Sequence, residues 1–123
     1  MKEGFLFCVC QGTCPSFAKE NAYEITNMVR KNFNVEFAAI HPQLCADDGD
    51  RFFKNLLKGT EIDVLYVAGC DPVMQRKMFK ESFAAVSFDE NKLRGVDVRN
   101  KTTEEVKALV SELIDKTRKE MQK

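Results

Sequence analysis

The sequence predicts a single three-layer α/β domain built on a four-stranded, all-parallel sheet. Strand-like and helix-like segments alternate along the whole chain, with no linker, repeat or low-complexity tract between them. The strand-like segments are nearly continuous apolar runs, as strands covered on both faces require. The length, 123 residues, suits one ordinary domain with one core.

Each element has its own signal. Gly4-Phe5-Leu6-Phe7-Cys8-Val9 reads as the first strand, and Cys10 to Pro15 as the loop beyond it. A helix is expected from Ser16 or Phe17, with Ala18, Ala22, Ile25 and Val29 on one stripe. Val35 to Ile40 is the second strand, ended by His41-Pro42, with Leu44-Cys45 in the following loop. Asp47 or Asp48 is expected to cap a helix carrying Phe52, Phe53, Leu56 and Leu57, and Gly59 to stop it. Ile62 to Ala68 is the third strand, ended by Gly69-Cys70. Asp71 followed by Pro72 is a strong helix start, an N-cap before a proline in the first turn. Met74, Met78 and Phe79 are expected to face inward from this helix. Leu93 to Val98 is the fourth strand. Thr102-x-x-Glu105 is a capping-box pattern opening a last helix with Val106, Leu109, Val110, Leu113 and Ile114 on one face. That helix is expected to end in a solvated run, Lys116 to Lys123.

Right-handed crossovers and short connections favour the strand order 2-1-3-4, a flavodoxin-like or Rossmann-like arrangement. Its switch point lies between the first and third strands, at the carboxyl edge where such sheets bind ligands.

The composition narrows the class of function. Apolar residues make up 44% and charged residues 31%, as in a soluble globular protein. Basic and acidic residues balance at 19 each, which offers nothing to nucleic acid or an anionic membrane. No run reaches the roughly 20 apolar residues that span a bilayer, and none reads as a signal peptide. The expected location is the cytoplasm, where thiols stay reduced.

Five cysteines in that setting read as metal or redox chemistry rather than a disulfide framework. Each falls at or just beyond a strand end: Cys8, Cys10 and Cys14 after the first, Cys45 after the second, Cys70 after the third. The fold would bring them to one rim. Iron–sulfur clusters are held by cysteine thiolates, usually four. The C-x-C-x3-C spacing is neither a ferredoxin run nor a paired C-x2-C zinc pattern, so placement carries more than spacing. Cys8 could instead fill core space, as free cysteine commonly does.

The motifs Phe7-Cys8-Val9-Cys10, Leu44-Cys45 with Gly49, Val67-Ala68-Gly69-Cys70-Asp71-Pro72, and Val96-Asp97-Val98-Arg99-Asn100 follow one another in a characteristic order. In this the chain resembles the N-terminal domain of the large, flavin-containing subunit of heterodisulfide reductase. It is similar, more distantly, to the delta subunit of methyl-viologen-reducing hydrogenase. The resemblance covers nearly the whole chain. It implies an iron–sulfur domain of anaerobic metabolism that relays electrons within a flavin- or hydrogenase-linked complex without transforming a substrate itself. The matched ligands are Cys8, Cys10, Cys45 and Cys70, for a 4Fe–4S or 2Fe–2S cluster. Cys14 has no counterpart in the first family's C-x-C motif. The second family's closely spaced cysteines make it a rival to Cys8. No G-x-G-x-x-G is present, so any flavin belongs to a redox partner, which carries it or further clusters.

Two other readings remain open: a thiol–disulfide protein or sensor using Cys8, Cys10, Cys14 and Cys70 without metal, and an adaptor with structural zinc or none. Asp71 is expected to cap its helix or to sit beside the cofactor, and Arg99 to offset a cluster's negative charge or to pair with Asp97. His41, the only histidine, is expected to be a structural hydrogen-bonder rather than a ligand.

Overall fold

A computed structural model describes residues 1–122; Lys123, the end of the expected solvated run, lies outside them. The strands are β1 (Glu3–Cys8), β2 (Phe37–His41), β3 (Val64–Gly69) and β4 (Leu93–Asp97). The helices are α1 (Ala22–Phe33), α2 (Asp47–Leu57), α3 (Pro72–Ala85) and α4 (Thr103–Met121). The sheet is parallel throughout, in the order β2-β1-β3-β4. It is the expected three-layer α/β fold.

Alternation along the central strands divides the core. Phe5, Phe7, Tyr66 and Ala68 pack with Ile25 and Val29 of α1 and Val106, Val110 and Ile114 of α4. Leu6, Cys8, Leu65 and Val67 face Phe53 and Leu57 of α2 and Phe79 and Phe83 of α3. On that side Phe53 meets Phe79 and Phe83 with ring centroids 4.7 and 5.3 Å apart. The register sets Cys8 opposite His41 and Phe7 opposite Ala68, so the carboxyl ends of the first three strands lie level.

Local chemistry explains the boundaries. Asp71 accepts from the Val73 N–H at 2.9 Å with Pro72 in the first turn. Thr102 and Glu105 complete their capping box.

Three expectations change. The first helix begins at Ala22, not at Ser16 or Phe17, and Ala18 is exposed. Pro15–Phe17 forms only a 3-10 turn, and Asn21 is extended, its side chain accepting from the Glu24 N–H. That cap starts the helix afresh. The cap of α2 is Ala46; Asp47 and Asp48 fall inside the first turn, where the helix dipole favours them. Met74 and Met78 are 44% and 47% exposed, because Gln75, Phe79, Ser82 and Phe83 take the inward face of α3. No helix among the described residues is long and apolar enough to cross a membrane.

Candidate functional site

At the carboxyl rim the sheet's pairing continues into the loops. The Val9 N–H donates to the His41 carbonyl at 3.1 Å, and the Gln11 N–H donates to the Pro42 carbonyl. The Gln11 side chain reaches the Gln43 side chain at 3.0 Å. The loops after β1 and β2 are therefore bound side by side. To follow this path the chain takes positive φ at Cys10 (48°), Gln11 (69°) and Gly12 (76°). Such a run is rare outside glycine and persists only where surrounding contacts impose it. On the other side the Val98 N–H donates to the Gly69 carbonyl at 2.9 Å, carrying Arg99 toward Cys70.

The result is a small cavity lined by Cys8, Cys10, Cys45 and Cys70, with Gln43, Gln75, Met78 and Phe79. All five cysteines are free thiols. Cys14 is outside this lining, next to Cys10. Cys8 is buried and its sulfur accepts from the Leu44 N–H at 3.4 Å. Cys45 is exposed, and the Gln43 amide donates to its sulfur at 3.6 Å.

Electrostatics separates the thiols. Burial, then the neighbouring Cys14, pushes the Cys10 thiol up. Burial, then the nearby Cys8, does the same for Cys70. Cys14 moves the other way: the Ser16 backbone N–H and hydroxyl favour its thiolate, with help from Cys10 and Arg99. Arg99 forks onto Asp97, with Nε 3.0 Å from Oδ1 and Nη2 2.7 Å from Oδ2. It holds the Asp97 carboxyl below its usual range. Asp71 is engaged as the α3 cap. His41 uses Nδ1 to accept from the Gln43 N–H at 3.0 Å, and its Nε2 lies 3.6 Å from Asp48. It orders the loop before Cys45 and does not line the cavity.

Four thiols around one space match an iron–sulfur or zinc donor set in kind and number. The space measures about 20 Å³, room for one water-sized body. Among the described residues no three His, Cys, Asp or Glu side chains already stand in metal-holding geometry. The donors thus match a cluster in chemistry, and the space between them is smaller than a cluster.

Gln43, Gln75 and Met78 were not expected at the site. Gln75 is 3% exposed and its side-chain carbonyl oxygen has no partner among the described residues. Its sequence signal is faint: an amide one turn after the Asp71 cap, on the stripe that also carries Phe79. The sequence matches no known family model and no curated relative.

Proposed function

We propose that this chain is a cytoplasmic iron–sulfur electron-transfer module with Cys8, Cys10, Cys45 and Cys70 as ligands. It exchanges electrons with a redox partner that carries flavin or further clusters. One observation supports it above the others: these four cysteines, from three different strand ends, line one cavity, while Cys14 stands outside the lining. The cluster would supply one-electron storage and release. The chain's own residues bind it and tune it. The Leu44 N–H and the Gln43 amide, aimed at the Cys8 and Cys45 sulfurs, orient these ligands and tune the cluster's potential through hydrogen bonds to sulfur. The start of α3 next to Cys70, and Arg99 nearby, offset negative charge. Burial holds Cys10 and Cys70 protonated in the free protein, so loading releases protons and strengthens as pH rises.

Iron and sulfide content with EPR on anaerobically reconstituted protein is the test. The expected result is a brown protein whose visible absorbance bleaches on reduction. Colourless protein without iron would overturn the proposal.

A second reading rests on Cys10 and Cys14. The favoured Cys14 thiolate is suited to attack a disulfide, with Cys10 displacing the mixed disulfide to leave Cys10–Cys14 oxidised and the substrate reduced. Thiol counts before and after a disulfide oxidant decide it: unchanged counts exclude this chemistry.

A further inference from the structure

The open edge of the sheet carries a second cavity, sharing no lining residue with the thiol cavity. β4 is an outer strand, paired only with β3. Its free side borders a space of about 300 Å³ lined by Pro72, Val73 and Arg76 of α3 and by Leu93, Arg94 and Gly95 of β4. That volume is at the lower end of the range for small-molecule sites, roughly 300–1,000 Å³.

Two arginines meet at this edge. The Leu93 carbonyl accepts from Arg76 Nη2 at 3.1 Å and from Arg94 Nη1 at 3.2 Å. Arg76 Nη1 also donates to the Glu90 carbonyl at 3.1 Å, and Arg94 Nη1 to the Asn91 carbonyl. These bonds tie down the turn before β4 and cap the strand's edge. They also hold two like charges on one neutral oxygen, where they repel. Among the described residues no carboxylate stands within 4.0 Å of either guanidinium. Asp89, in the adjoining turn, accepts from the Asn91 N–H instead.

The bonds to carbonyls leave one side of each guanidinium unused. Arg94 Nε and Nη2, and Arg76 Nε, have no hydrogen-bond partner among the described residues. All three atoms are open to solvent, since none is among the buried atoms without a partner. In Arg99 and Arg118 the same Nε–Nη2 fork is filled by a carboxylate, that of Asp97 and of Glu3. Alternation along the strand turns the Gly95 N–H the same way as the Leu93 carbonyl, toward the free side.

We infer that this pocket binds a small organic phosphate, a phosphomonoester with a compact apolar body. Such a group carries about −1.5 to −2 charge at pH 7 and three acceptor oxygens. Its charge matches two guanidiniums better than a carboxylate's does. Its oxygens suit the Arg94 fork, Arg76 Nε and the Gly95 N–H. Pro72 and Val73, the latter 65% exposed, give the organic body an apolar wall.

The test titrates isotope-labelled, metal-free protein with phenyl phosphate, inorganic phosphate and phenylacetate at about pH 7.5 and constant ionic strength, following the Gly95 N–H by NMR. Phenyl phosphate is expected to shift this signal and bind tightest, with phenylacetate about tenfold weaker. Arg94→Gln should weaken phenyl phosphate about tenfold, and Arg94→Lys nearly as much, because an ammonium cannot fork. Val73→Ala, at an exposed position, should narrow the preference for phenyl phosphate over inorganic phosphate with the fold intact. A Gly95 signal that stays still overturns the inference. So does phenylacetate binding as tightly as phenyl phosphate, or an affinity indifferent to Arg94→Gln. An Arg94→Lys protein equal to the unaltered one would show diffuse charge attraction only, and overturns it too. If an Arg94 variant fails to fold, the Gly95 shift and the phenylacetate comparison still decide. None of these readouts depends on iron, so they stand apart from the cluster proposal.

Discussion

The backbone N–H of Leu44 donates to the sulfur of Cys8 across 3.4 Å, in a buried contact between residues 36 positions apart. The bond joins the end of β1 to the loop after β2, so the site is assembled by the sheet's register rather than by any local motif. It also gives Cys8 a contact beyond filling core space, since the N–H fixes where its sulfur stands at the rim.

The proposed ligand set rests on which thiols share the cavity. Cys8→Ser, Cys10→Ser, Cys45→Ser and Cys70→Ser should each abolish cluster assembly, whereas Cys14→Ser should keep iron content and EPR signal at the level of the unaltered protein. Iron per chain after anaerobic reconstitution measures this. A Cys14→Ser protein as empty as Cys8→Ser would move the fourth ligand to Cys14.

Gly49 supports the same loop. A Cβ built there would lie 2.2 Å from the Leu44 carbonyl oxygen, a backbone atom that cannot swing aside. Alanine gains about 1 kcal/mol of helix propensity in α2, but overpacking against backbone costs about 1–3 kcal/mol. The severity of the overlap decides the sign. Gly49→Ala should lower the urea midpoint by the equivalent of about 1 kcal/mol, and should reduce iron loading by displacing Leu44 and Cys45. Unchanged stability and loading would show that the loop relaxes freely.

Cys8 and Gly49 show what was legible in the sequence. Strand order followed from connectivity, and the α3 and α4 starts from chemistry confined to a few neighbouring residues. The convergence of Cys8, Cys10, Cys45 and Cys70 followed from the same connectivity. The start of α1 was obscured because Pro15 and the apolar Phe17 look like a helix opening, while the operative signal, Asn21 three residues before Glu24, lay further on. Met74 and Met78 fit an apolar stripe, yet Phe79 and Phe83 already filled the space beneath α3 and pulled polar Gln75 and Ser82 inside with them. Glu20 carried no motif, since its carboxylate is buried only once the loop before α1 meets the segment after β4.

The opposite end of the sheet holds a buried charge with full compensation. Glu3 has a side chain only 5% exposed. Arg118 donates to both of its oxygens at 2.7–3.2 Å, and the Tyr66 hydroxyl donates at 2.5 Å. Burial, then the Glu3 carboxylate, raises the Tyr66 hydroxyl's pKa, so it remains a donor. Arg118→Met strands that carboxylate and should cost about 3 kcal/mol. Tyr66→Phe removes one donor and should cost about 1–2 kcal/mol. Urea denaturation ranks them, and the opposite ranking would mean that water reaches Glu3 once Arg118 is gone.

Glu20 makes stability fall with pH in a defined window. Burial raises its folded-state carboxyl from 4.5 to about 7. The folded chain thus binds this proton more tightly than the unfolded chain does. The associated stability is fully present below about pH 4.5 and is lost as pH rises through about 7. Solvent screening at a partly exposed group limits the loss to about 1 kcal/mol. Glu20→Gln has no proton to lose, so it should match the unaltered protein at about pH 4.5 and exceed it by about 1 kcal/mol at about pH 8.5. Urea midpoints across that range test the slope. A difference that stays constant with pH, or one in which the unaltered protein gains on the variant as pH rises, would mean that the Glu20 carboxylate is solvated in the folded state.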